Sequence, residues 1–94
     1  MSEKEQLYYL LKHYYEDDYT TGVFVDEFDR IYNLEVDYTT LSDEENKLMG
    51  ELSVITGRFS PCEEELKIPN VYFSESDVKQ KATEVYLELI KLIK

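Results

Sequence analysis

The chain is poor in the residues that most enzymes, secreted proteins and membrane proteins depend on. Its one cysteine, Cys62, has no partner for an internal disulfide, which agrees with a reducing compartment. Three glycines and two prolines among 94 residues leave little material for tight hairpins and favour helices joined by short loops. No apolar run approaches the roughly 20 residues needed to cross a bilayer. The N-terminal Met-Ser-Glu-Lys-Glu-Gln lacks the basic start and apolar core of a signal peptide. These absences predict a cytoplasmic protein with no membrane segment. Ninety-four residues also leave room for one domain and one modest core.

Chemistry is equally hard to find. His13 is the only histidine, with no nucleophile and no second metal ligand evident beside it. There is no glycine-rich phosphate cradle and no Cys/His metal spacing. A calcium loop set on Gly22 puts Asp17 at the first ligand position. It then offers Tyr19 and Thr21 where carboxylates belong and Phe28 where the closing glutamate belongs, so it fails. Carrier proteins that bear phosphopantetheine need a serine in an Asp-Ser-Leu setting, and neither Ser42 nor Ser74 has one. The expectation is a protein with no catalytic residues, no cofactor and no metal.

Negative charge is what the chain has in excess. The formal net charge is −11, and nearly all of the excess lies in the middle. Residues 16–65 hold fifteen acids against Arg30, Lys47 and Arg58, whereas the two ends together hold six acids and seven bases. Such a field repels nucleic acid and acidic membranes and speeds association with basic partners. Solubility alone is the simpler account. Crowded acids also repel one another, however, and a chain selected only to fold would gain by neutralising some of them.

Four helical patterns are legible, at about 3–16, 21–34, 43–59 and 75–93. In the first, Leu7, Leu10, Leu11 and Tyr14 form the apolar stripe. Thr20 is placed to cap the second, whose stripe is Phe24, Phe28 and Ile31, with Tyr32 and Leu34 beside it. Ser42-Asp43-Glu44-Glu45 is a capping box for the third, and helix-end electrostatics explains Asp43 and Glu44. Leu48, Leu52, Ile55 and Phe59 supply its stripe. Pro61 stops it near Phe59 and hands the chain to Glu63, Glu64 and Glu65. Ser74 to Asp77 caps the last, striped by Val78, Ala82, Val85, Leu89 and Leu92. The whole predicts an all-α fold: a small antiparallel four-helix bundle in a single domain covering 1–94.

In this order the features resemble the colicin D immunity family, the bacterial self-protective colicin-like immunity proteins. The matching pieces begin with the Leu-rich opening helix, Tyr19-Thr20-Thr21-Gly22-Val23-Phe24 and Ile31-Tyr32. They continue through Leu41-Ser42, Gly50-Glu51-Leu52, Arg58-Phe59-Ser60-Pro61, Tyr72 and Ser74, so the likeness runs from about Leu7 to Leu92. It implies a four-helix inhibitor that binds a cognate toxin nuclease domain one to one and blocks its active site. In the family's colicin D case the toxin cleaves tRNA anticodon loops, and the inhibitor's carboxylates occupy the basic groove meant for RNA phosphates. Here Gly57, Ser60 and Cys62 stand at corner positions where the family can offer acids, and the carboxylates follow the corner instead.

The resulting expectation is a non-enzymatic immunity protein, of a bacteriocin or contact-dependent system, that mimics RNA phosphates toward a basic RNase. The expected contacts are Glu63, Glu64 and Glu65, supported by Glu51, Asp17 and Asp18, with Tyr72 as an aromatic anchor. A solvated loop is the plainer account of the three consecutive glutamates. Arg58 is expected to brace the corner by pairing with a neighbouring acid. Two other readings remain open: an acidic DNA mimic directed at a DNA-binding protein, and a helical adaptor that binds a partner helix through Tyr8, Tyr15 and Tyr19. Neither direct nucleic-acid binding nor membrane binding is expected.

Overall fold

Capping at the starts of the helices follows the sequence closely. Ser2 accepts from the Glu5 N–H (3.1 Å) to begin α1, Glu3–Tyr15. Thr20 accepts from Val23 N–H (3.3 Å) to begin α2, Thr21–Arg30. Ser42 and Glu45 form the reciprocal capping box of α3, Asp43–Thr56. Ser74 and Asp77 exchange the same pair of bonds at the start of α4, Glu75–Leu92. Each satisfies amides that the helix itself leaves unpaired. The structure, a computed structural model, describes residues 2–60, 67 and 72–92.

The helices run up, down, up and down. Tyr14 near the end of α1 stacks on Phe24 in α2. Asp29 in α2 meets Thr56 at the end of α3 (2.5 Å) and Tyr32, further along the chain, meets Asn46 near the start of α3 (2.6 Å), so the two segments run in opposite senses. Glu51 of α3 meets Lys81 of α4 (3.3 Å), and Lys79 of α4 returns to Asp17 beyond the end of α1 (2.7 Å). The fold is the expected all-α four-helix bundle. Among the described residues the only extended pairing is one parallel bridge, Phe59 with Phe73. No helix among them is long and apolar enough to cross a membrane.

A column of aromatic rings runs through the α1–α2 half of the core. Tyr14 and Phe24 stack at 4.2 Å and 8°, and Phe24–Phe28 and Phe28–Tyr32 follow, each at 5.6 Å. Tyr38 closes the column edge-on against Tyr32. Leu7, Leu11, Met49, Leu52, Val78, Val85 and Leu89 fill the remainder. Gly50 allows α3 to approach this column: a Cβ there would sit 3.3 Å from the Tyr32 hydroxyl, which donates to Asn46 Oδ1 (2.6 Å).

Several sequence expectations shift. After Arg30, α2 passes into a π-turn over Ile31–Glu35, closed by Val36 N–H to Ile31 O (2.8 Å). That wider turn leaves Leu34 exposed instead of beside the stripe, while Val36 and Val25 are buried. Glu27, Arg30 and Glu35 form a surface ion triad across it. α3 ends at Thr56, three residues short of Phe59, with Gly57 as its cap. Its buried stripe is Glu45, Met49, Leu52 and Thr56, while Leu48, Ile55 and Phe59 flank it half-buried. Leu92 is exposed. Polar side chains occupy two of the four inward positions on α3 because each has a partner: Asp29 for Thr56, and Tyr8 and Lys4 for Glu45.

Candidate functional site

The C-terminal end of α1 and the N-terminal ends of α2 and α4 meet at one pole of the bundle, and the Phe59–Phe73 bridge ties the chain beyond α3 to the start of α4. This pole is the candidate site. α1 stops in a Schellman arrangement: Asp18 N–H donates to His13 O (2.8 Å) and Asp17 N–H to Tyr14 O (3.0 Å). Asp17 takes the left-handed position, φ 65°, where glycine is the usual residue. Its carboxylate pairs with Lys79 Nζ at 2.7 Å. Lys79 also donates to the Tyr14 carbonyl, and its ammonium lies 4.1 Å from the centre of the Tyr14 ring. One lysine therefore ties the last turn of α1 to α4.

Because Asp17 reverses the chain, Asp18 returns to His13 Nδ1 (2.7 Å). Glu16 lies close by, and one ligand atom from each of His13, Glu16 and Asp18 falls within 4.8 Å of the others. No companion for His13 is legible in the sequence, since this set is assembled by a turn and not by helical spacing. Next to it the Tyr19 phenol is held above its ordinary range by burial, and then by Tyr9 and the charges of Asp18 and Glu27.

A groove of about 630 Å³ runs along α4 from this turn. Its floor is a relay from Tyr14 hydroxyl to Thr21 hydroxyl (2.8 Å), with Thr21 and Glu75 Oε1 3.1 Å apart. Thr21 is 4% exposed, and burial is the main reason the Tyr14 phenol is pushed up. Glu75, Lys79 and Glu84 line the groove, although none of them had been singled out from the sequence as a contact residue.

On the α3 side, Ser60 N–H donates to Phe73 O (3.0 Å) and Phe73 N–H donates to Arg58 O (2.8 Å). This bridge joins the chain before Pro61 to the chain after Tyr72. Arg58 serves it through its carbonyl. Among the described residues no acid pairs with its guanidinium, and the neighbouring Glu63, Glu64 and Glu65, the acids nearest in sequence for the expected brace, lie outside them. Tyr72 is half-buried beside the bridge. Glu63, Glu64 and Glu65 lie outside the described residues.

Of the expected contacts, Asp17, Asp18 and Tyr72 are at this pole, and Glu51 lies a little over one turn inside the end of α3, paired with Lys81. Each of the three described acids has a neighbour to hold, and each remains solvent-exposed. Tyr8, Tyr15 and Tyr19, the proposed adaptor surface, are divided. Tyr8 donates to Glu45, Tyr19 packs against the core, and only Tyr15 is exposed, against Tyr86.

Asp17 allows a direct check of the turn. Glycine should be more stable than alanine at this position by about 1 kcal/mol, because both lose the Lys79 pair but only alanine strains the left-handed backbone. Urea titration of Asp17→Gly and Asp17→Ala measures the difference, and equal midpoints would rule out the left-handed turn. The arrangement at this pole suits recognition by charge and hydrogen bonding. Compared with known proteins, the chain matches no family model, no curated protein and no solved structure at a significant level.

Proposed function

We propose that the chain is a cytoplasmic immunity-type protein that neutralises a basic toxin nuclease, a tRNA-cleaving RNase, by presenting carboxylates where the nuclease would hold RNA phosphates. The observation that carries this reading is the concentration of the chain's excess negative charge in residues 16–65, combined with a bundle that brings Asp17, Asp18 and both flanks of Glu63–Glu65 to one pole. Ordered likeness to the colicin D immunity features supports it. Nuclease grooves are lined by lysine and arginine, and carboxylates held on a rigid frame make charge-assisted bonds there with little ordering cost.

The test mixes the purified chain with the nuclease domain encoded beside its gene, together with tRNA. Cleavage should stop at equimolar inhibitor, and affinity should fall steeply with added salt. Charge reversal at Glu63, Glu64 and Glu65 together should weaken binding by at least about 100-fold. Cleavage that continues at equimolar inhibitor defeats the inhibitor reading. Inhibition indifferent to salt and to the reversal defeats phosphate mimicry alone.

A further inference from the structure

The turn after α1 gathers three side chains of the kinds that hold metal ions, and one of them is the only histidine of the chain. One donor atom from each of His13, Glu16 and Asp18 lies within 4.8 Å of the other two. Ligand bonds of about 2.1 Å at tetrahedral angles put donors about 3.4 Å apart. The His13 Nδ1 and Asp18 Oδ2 stand 2.7 Å apart, so they need to part by less than about 1 Å to admit an ion. Glu16, exposed at the end of the helix, needs to close by at most about 1.4 Å. Exposed acids alone gather on many surfaces without binding an ion, and the imidazole is what sets this group apart. Its ring is held by Tyr9, with centroids 4.1 Å apart, and meets Tyr19 edge-on at 6.2 Å. Asp17, the remaining acid of the turn, is already paired with Lys79.

We propose that His13, Glu16 and Asp18 form a binding site for a divalent transition-metal ion of the zinc class. The imidazole Nδ1 and one oxygen from each carboxylate are the ligands, and water completes the shell. A nitrogen donor among the three favours zinc, nickel or copper over magnesium and calcium, which take all-oxygen shells. Nδ1 must offer its lone pair, so the proton it shares with Asp18 gives way to the ion and passes to Nε2 or to solvent. The two carboxylates then balance the charge of the ion. Its structural effect is to clamp the last turn of α1, which carries His13 and the cap residue Glu16, to Asp18 on the way into α2. The site needs no partner protein, so it stands or falls separately from the nuclease reading.

The experiment titrates the full chain, without an affinity tag and labelled with ¹⁵N and ¹³C, with zinc chloride and separately with calcium chloride. Because His13 is the only histidine, a single set of imidazole signals reports on the site. Zinc should move those signals and the amides of residues 13–18, and should bind at least about tenfold more tightly than calcium. His13→Gln, Glu16→Gln and Asp18→Asn should each weaken zinc binding at least about tenfold, while Glu3→Gln at the far end of α1 should leave it unchanged. None of the three ligand residues is buried, so each variant should keep the helix content of the parent chain by circular dichroism. Imidazole signals unmoved at millimolar zinc would overturn the proposal, even if zinc were taken up elsewhere, as at Cys62. Calcium binding as tight as zinc, or ligand variants that bind zinc like the parent, would overturn it equally.

Discussion

Glu45→Ala is expected to cost about 3 kcal/mol of folding stability, a large share of the 5–15 kcal/mol typical of a domain. Glu45 is 4% exposed, and its carboxylate accepts from three donors: Ser42 N–H (2.8 Å), the Tyr8 hydroxyl and Lys4 Nζ (3.1 Å). Alanine removes half of the capping box, worth about 1 kcal/mol. It also leaves the part-buried Tyr8 hydroxyl without its acceptor, worth roughly 1–3 kcal/mol. Glu45→Gln keeps most of the hydrogen bonding and should lose about half as much.

The pH dependence follows from the same contacts. Burial opposes ionisation of Glu45, but the Ser42, Tyr8 and Lys4 bonds outweigh it and hold the carboxyl below its usual 4.5. A depressed folded value means the contribution is complete above pH 4.5 and disappears as pH falls through the folded value. Asp29 acts in the opposite sense. Burial, aided by the charge of Asp26, outweighs the Thr56 bond and raises its carboxyl above 3.8. Its penalty is therefore relieved in acid and grows as pH rises from 3.8 through that folded value. The gap between the parent chain and Glu45→Ala should be full in urea titrations at pH 7 and clearly narrower at pH 3.5. A constant gap would show that Glu45 contributes by packing instead of charge.

Phe24→Ala should be at least as costly, about 3–5 kcal/mol. Phe24 is fully buried and stands between Tyr14 and Phe28 in the ring column. Its removal deletes two ring contacts, opens a cavity and loosens the base of the α4 groove through Tyr14. Tyr14→Phe provides the contrast. The ring stays, only the hydroxyl bond to Thr21 is lost, and Thr21 keeps Glu75, so the cost should be near 1 kcal/mol. Equal urea midpoints for the two variants would mean that the column is not what holds α1 to α2.

The helices were legible because caps and apolar spacing are local. Thr20, Ser42 and Ser74 announce their starts, and the Leu7–Tyr14 stripe is buried as read. The stripe of α3 was misread because sequence hydrophobicity cannot reveal that Glu45 and Thr56 acquire partners from α1 and α2. The same limit hid the π-turn, which one extra residue at Ile31–Glu35 creates without a proline or glycine to mark it. At the candidate site the excess of acids was visible, but their pairing was not. Lys79 lies 62 positions from Asp17, and Lys81 lies 30 from Glu51. Only the fold shows which carboxylates are already held and which, like Glu75 and Glu84, make no ion pair among the described residues.

The two backbone hydrogen bonds between Arg58–Ser60 and Phe73 have a consequence for how such a protein can change over time. They hold Ser60 and Phe73 side by side through backbone groups alone, whichever side chains stand at those positions. Closing a longer loop costs little, about 0.6 kcal/mol for each doubling of length. Changes of length between Ser60 and Phe73 are therefore expected to cost the bundle little, since the stitch that closes the stretch is made by backbone groups.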